Sequence, residues 1–176
     1  MGYLIDWPFP QFHQLHADHA PSLYLALAWV AFLRAGRDSP WVVALLSLPG
    51  TVLHELMHFS VGWFLGARPV SFNVVPERVG RRWVLGSVGF ARINLLNGAP
   101  VAFAPLLMLP LGWIFLERWM MPAWASGDYG EWLLAGYIAG CCVFACLPSG
   151  ADIRLGASSA VLWACIGCGL YFWSAA

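Results

Sequence analysis

The stretch Trp41-Val42-Val43-Ala44-Leu45-Leu46-Ser47-Leu48-Pro49-Gly50-Thr51-Val52-Leu53-His54-Glu55-Leu56-Met57-His58-Phe59-Ser60-Val61-Gly62-Trp63-Phe64-Leu65-Gly66 decides the fold of this chain. It is apolar almost throughout, has no Lys or Arg, and carries its only acid, Glu55, amid His54 and His58. Trp41 and Trp63 stand 22 residues apart near its ends, which at 1.5 Å rise per residue is about the thickness of a bilayer core. They read as interfacial anchors of a membrane-spanning helix. On that helix His54 and His58, four residues apart, share one face and can offer two imidazoles to one ion, with Glu55 beside them. Ionisable side chains in such a span cost roughly 2–3 kcal/mol or more each, so they mark a functional site.

Composition agrees with the membrane reading. Of 176 residues, 60% are apolar, 15% aromatic and 10% charged, too little polar surface to cover a soluble domain. All nine basic residues are Arg and balance nine acids, which excludes a polybasic arm and gives no footprint for nucleic acid. Five apolar segments are candidate spans: residues 21–36, 41–66, 95–116, 132–147 and 153–173. The third contains Pro100, Pro105 and Pro110, tolerable only where neighbours satisfy the freed carbonyls. Pro49-Gly50, one turn before His54, is placed to kink the motif helix and admit water.

Between the second and third spans the texture changes. Val70-Ser71-Phe72-Asn73-Val74 alternates, a turn covers residues 76–82, and residues 83–93 return, which predicts a β-hairpin. It holds Arg68, Arg78, Arg81, Arg82 and Arg92, so counting positive charges puts it on the cytoplasmic side. The expectation is a single α-helical integral membrane domain over residues 1–176, with about five transmembrane helices and a small β-hairpin between the second and third. No cleavable signal peptide is evident, because the first 20 residues lack an apolar core. Cys141, Cys142, Cys146, Cys165 and Cys168 fall in apolar runs and read as buried thiols. His13, His16 and His19 read as a solvated or interfacial segment, with metal capture as the alternative.

The chemistry of His54-Glu55-Leu56-Met57-His58 is that of a zinc hydrolase: zinc lowers the pKa of its water toward ~7, Glu55 takes the proton, and a polarised carbonyl is attacked. Such a site wants a third protein ligand. The other acids lie in loops or beside span ends, whereas Asp152 follows the helix breaker Pro148-Ser149-Gly150 between two apolar runs. Asp152 is therefore the expected third ligand, with helix capping as its alternative task.

These pieces together resemble the site-2 protease family of intramembrane zinc metalloproteases. The matching parts are the HELMH span, the β-like segment, Gly98-Ala99-Pro100 opening the next span, and Pro148-Ser149-Gly150-Ala151-Asp152, covering about residues 41–160. The resemblance implies that His54, His58 and Asp152 hold Zn2+ and that Glu55 is the catalytic base. It also implies that the substrates are membrane proteins whose spanning or membrane-proximal segments are unwound into an extended form. The expected location is the bacterial inner membrane, with the lipid bilayer as surroundings. Asn94 and Asn97 are candidates for oxyanion stabilisation or, equally, for caps of the third span. The hairpin is either a substrate-pairing edge or an interfacial cap. The rival reading is a non-proteolytic metal-binding membrane protein, a transporter or a pseudoprotease, against which the base Glu55 argues.

Overall fold

A computed structural model describes residues 10–36, 39–80 and 82–174, with side chains from residue 19 onward except those of Pro40 and Arg82. Helix α1 spans Pro10–Ala35, α2 Pro40–Leu46 and α3 Leu48–Phe64. Strands β1 Pro69–Asn73, β2 Glu77–Val79, β3 Arg82–Val84 and β4 Ser87–Phe90 follow. The third expected span is built of short pieces: α4 Gly98–Ala102, a 3-10 turn Ala104–Leu107, α5 Met108–Phe115, a π-helical turn Leu116–Met120 and α6 Met121–Ser126. Its prolines remove backbone donors, which fragments the helix without ending it. Helices α7 Tyr129–Ala145 and α8 Gly150–Ser174 complete the chain.

The second expected span is likewise broken, at Ser47, just ahead of Pro49. The Leu46 carbonyl at the break accepts from the Tyr137 hydroxyl at 2.6 Å and faces Cys141 Sγ at 3.7 Å. A neighbouring helix thus satisfies what the proline frees.

Contacts fix the helix directions. Leu46 meets Tyr137, Gly50 backs onto Cys141, and His54 reaches Ala145, so α3 and α7 run parallel. Ser22 bonds Trp132, while Leu25 and Trp29 lie against Gly136 and Gly140, so α1 is parallel to α7 as well. Asn97 beside Leu65 and Val101 beside His58 show α4 descending along α3, and α5 continues against α7 with Gly112 on Cys142. Helix α8 runs opposite to α4, since Leu96 meets Trp163, Ala99 meets Ser159 and Ala102 meets Gly156. It therefore prolongs the direction of α7. Five alternating spans would make α1 antiparallel to α3 and α8 antiparallel to α7; the contacts give neither.

The interior is rich in small residues packed about Leu33, Met108, Leu116 and Met120. Ala26, Ala102, Ala135, Ala139, Cys141 and Cys142 are buried, whereas Leu45, Phe64 and Trp173 are 72%, 78% and 81% exposed. Small residues let helix backbones approach closely, as in membrane helix packing. A Cβ on Gly140 would lie 2.6 Å from Trp29 Cβ. Among the described residues one helix, Gly150–Ser174, is long and apolar enough by itself to cross a membrane, with 11% of its most apolar window buried. Cys165 and Cys168 lie exposed on it, unlike buried Cys141, Cys142 and Cys146, which corrects the expectation of five buried thiols. They sit beyond the part of α8 that packs on α4.

The hairpin is present as two nested antiparallel pairs, β1 with β4 and β2 with β3, closed at Gly80 with φ +62°. It does not project as a cap. Phe90 covers Gly62, Phe72 meets Phe59 with ring centroids 6.1 Å apart, and Trp83 meets Trp41 at 5.8 Å. The ribbon thus folds back along α3 toward α2. Arg68 and Arg92 stand at its base and Arg78 and Arg82 near its tip, so the arginines divide between its two ends; Arg81 lies outside the described residues.

Candidate metal centre

The buried residues of α3 are Gly50, Thr51, Glu55, His58 and Gly62. From Thr51 on they recur every three or four residues, one helical face turned inward. His54 Nδ1 lies 2.7 Å from the Ala145 carbonyl and His58 Nδ1 lies 2.8 Å from the Val101 carbonyl. A carbonyl only accepts, so each Nδ1 donates and each neutral ring keeps its lone pair on Nε2. Ala145 ends α7 and Val101 is next to last in α4, where carbonyls have no intrahelical donor. Helix ends therefore orient both imidazoles, the outer-shell role usually taken by a carbonyl or carboxylate.

The two Nε2 atoms are 3.2 Å apart. Asp152 joins them, with Oδ1 3.3 Å from His58 Nε2 and Oδ2 3.7 Å from His54 Nε2. One ligand atom from each of the three residues fits within 4.8 Å of the others. Two lone pairs and a carboxylate facing one point repel one another until a metal ion, or a proton on one ring, lies between them. For a tetrahedral ion with bonds of ~2.0–2.2 Å, ligand atoms stand ~3.3–3.5 Å apart. The Nε2–Nε2 and His58–Oδ1 separations lie close to this range and the His54–Oδ2 separation slightly beyond it, and two imidazoles with one carboxylate can hold a first-row divalent metal ion.

Asp152 keeps its capping task too. Ser149 N donates to Asp152 Oδ2 at 2.6 Å, while Ala151 N and Asp152 N donate to Ser149 Oγ at 3.2 Å each. This is a reciprocal capping box at the start of α8. Ligand and cap, weighed as alternatives from sequence, coincide because the box fixes the carboxylate's orientation and leaves Oδ1 turned to His58.

Glu55 is 6% exposed, and no donor among the described residues holds its carboxylate. Asn94 and Asn97 prove structural. Asn97 Nδ2 donates to the Arg92 carbonyl at 3.0 Å and its Oδ1 accepts from Asn94 N at 2.8 Å, while Asn94 Oδ1 accepts from Leu96 N and Asn97 N. The Asn97 amide and the Asn94 oxygen are thus engaged in the turn before α4, the capping alternative of the sequence reading. His19 stacks on Trp113 and sits 3.9 Å from Glu117, away from the cluster. The side chains of His13 and His16 lie outside those described.

Sequence reasoning passed over Gly86, which lies between β3 and β4. A Cβ there would stand 2.7 Å from Glu55 Oε1 and 2.8 Å from its Cγ. The only signal in the sequence was a glycine within a predicted strand, which marks close backbone approach. No family model, curated protein or solved structure matches this chain.

Proposed function

We propose that this chain is an integral membrane zinc endopeptidase, similar to site-2 proteases, that hydrolyses peptide bonds in or near membrane-spanning segments. The observation that carries this reading is the convergence of His54, His58 and Asp152, oriented by their own hydrogen bonds, with Glu55 buried and unclaimed beside them. The three ligating groups face one another, and Glu55 stands beside them as the base. Zinc bound there supplies Lewis acidity toward water and toward the scissile carbonyl. Glu55 accepts a proton from the attacking water and returns it to the leaving amine. The hairpin's free strand edges suit an extended substrate, which would add main-chain hydrogen bonds.

The membrane placement rests on the many exposed Leu, Phe and Trp side chains around an interior rich in Ala, Gly and Cys. The helix directions set α1, α3, α7 and α8 parallel and α4 opposite, so the helices do not simply alternate in direction along the chain. The helices beside the site are discontinuous, and unwound backbone is tolerated there because it lines the site.

A transporter needs ligands but no base, and among the described residues no second cluster of this kind occurs. The test is metal analysis of purified protein with a cleavage assay on a reconstituted single-span membrane protein. Glu55→Gln should keep zinc and lose cleavage, whereas His54→Ala should lose both. Cleavage persisting in Glu55→Gln would overturn the mechanism.

A further inference from the structure

The hairpin touches α3 at three places. At two of them aromatic side chains make the contact: Phe90 lies over Gly62 and Phe72 meets Phe59 edge-on. At the third the backbone itself does, because Gly86 has no side chain. A Cβ on Gly86 would meet Glu55 Oε1, Cγ and Cδ at 2.7, 2.8 and 3.0 Å, closer than real Cβ atoms approach such neighbours. Gly80, at the tip, has a positive φ that favours glycine on conformational grounds; Gly86 does not. A larger residue at position 86 thus fits only if the Glu55 side chain moves. Glu55 meanwhile has no hydrogen-bond donor among the described residues to hold it.

We infer that Gly86 is a positioning residue for Glu55: the bare backbone of the hairpin forms the wall that sets where the carboxylate stands. The catalytic consequence rests on the peptidase reading above; the steric relation does not. Phe90 and Phe72 clamp the hairpin to α3 on one side of Gly86, and Trp83 joins Trp41 on the other. The strand cannot drift away to make room for a larger residue without breaking one of these contacts, so the side chain of Glu55 must yield instead.

Two measurements on the full chain in detergent test this without a substrate. In Glu55→Cys with Gly86→Cys, Sγ at position 55 takes about the place of the present Cγ, 2.8 Å from the new Cβ. In a disulfide that distance is ~3 Å, given an S–S bond of ~2.05 Å. Mild oxidation should yield a 55–86 crosslink, identified by peptide mapping. Secondly, Gly86→Ala should lower Tm by several degrees in the wild-type background, and this loss should vanish in Glu55→Ala, where the obstructing atoms are gone. An absent crosslink, or an equal fall in both backgrounds, overturns the inference. With a cleavable substrate, Gly86→Ala should keep zinc and KM and lose ~10–100-fold in kcat, since displacement by about 1 Å carries that penalty. Activity surviving in Glu55→Gln would instead defeat the peptidase reading and leave the crosslink and the coupling to judge Gly86.

Discussion

Replacing Asp152 by Asn separates its two tasks. Asparagine retains an oxygen that can accept from Ser149 N, now 2.6 Å from Oδ2, so the start of α8 survives. It lacks the charge that faces His58 Nε2 at 3.3 Å and His54 Nε2 at 3.7 Å. Zinc bound by four ligands is held by ~10–16 kcal/mol, or ~3–4 kcal/mol per ligand. At 1.4 kcal/mol per tenfold, Asp152→Asn should weaken zinc binding by ~10²–10³. Asp152→Ala loses the same ligand and the capping oxygen, worth a further ~1 kcal/mol. That difference should appear as ~2–4 °C in the Tm of the metal-free protein. Competition against a chromophoric chelator in detergent reads the affinity, and thermal unfolding reads the cap. Zinc affinity within threefold of wild type in Asp152→Asn would remove Asp152 from the ligand set. Equal metal-free Tm values for the Asn and Ala variants would remove the capping role.

Other consequences concern the joints between helices. Ser159→Ala strips the buried acceptor that Ala99 N uses at 2.8 Å and should destabilise by ~1–3 kcal/mol in thermal unfolding. Gly140→Ala places a methyl 2.6 Å from Trp29 Cβ, and overpacking between α1 and α7 should lower stability by ~1–3 kcal/mol by the same assay. Chelation should lower Tm in step with the logarithm of the fall in free zinc, as linkage demands; a Tm indifferent to zinc would count against a site in the folded state.

The site was legible from local spacing, and the architecture was not. Two histidines and an acid within five residues of an apolar span are conspicuous because burying them is costly, and Asp152 stood out because a helix breaker precedes it. Helix direction leaves no such trace. Residues 21–36 and 41–66 have the hydropathy of two alternating spans, yet Ser22, Leu25 and Trp29 align with Trp132, Gly136 and Gly140 in parallel. Counting arginines is blind to the fold in a related way. The count sums charge over a segment, and the hairpin lays that segment along α3 with Arg68 and Arg92 at one end and Arg78 at the other. Gly86 was invisible because its requirement comes from Glu55, distant in sequence, and not from its own backbone.

The outer shell of the site was hidden for a deeper reason. An apolar sequence offers few side chains to hold two imidazoles, and none near His54 or His58 does so. The acceptors are main-chain carbonyls of Ala145 and Val101, available because α7 and α4 stop there. The same economy recurs at the Leu46 carbonyl, answered by Tyr137, and at Ala99 N, answered by Ser159. In an apolar surrounding every interrupted turn must find a partner. Interrupting helices beside the ligands therefore generates the polar groups a metal centre needs without adding polar residues to the sequence. Proline and glycine at the breaks carry that information, and only a structure shows which side chain each freed group meets.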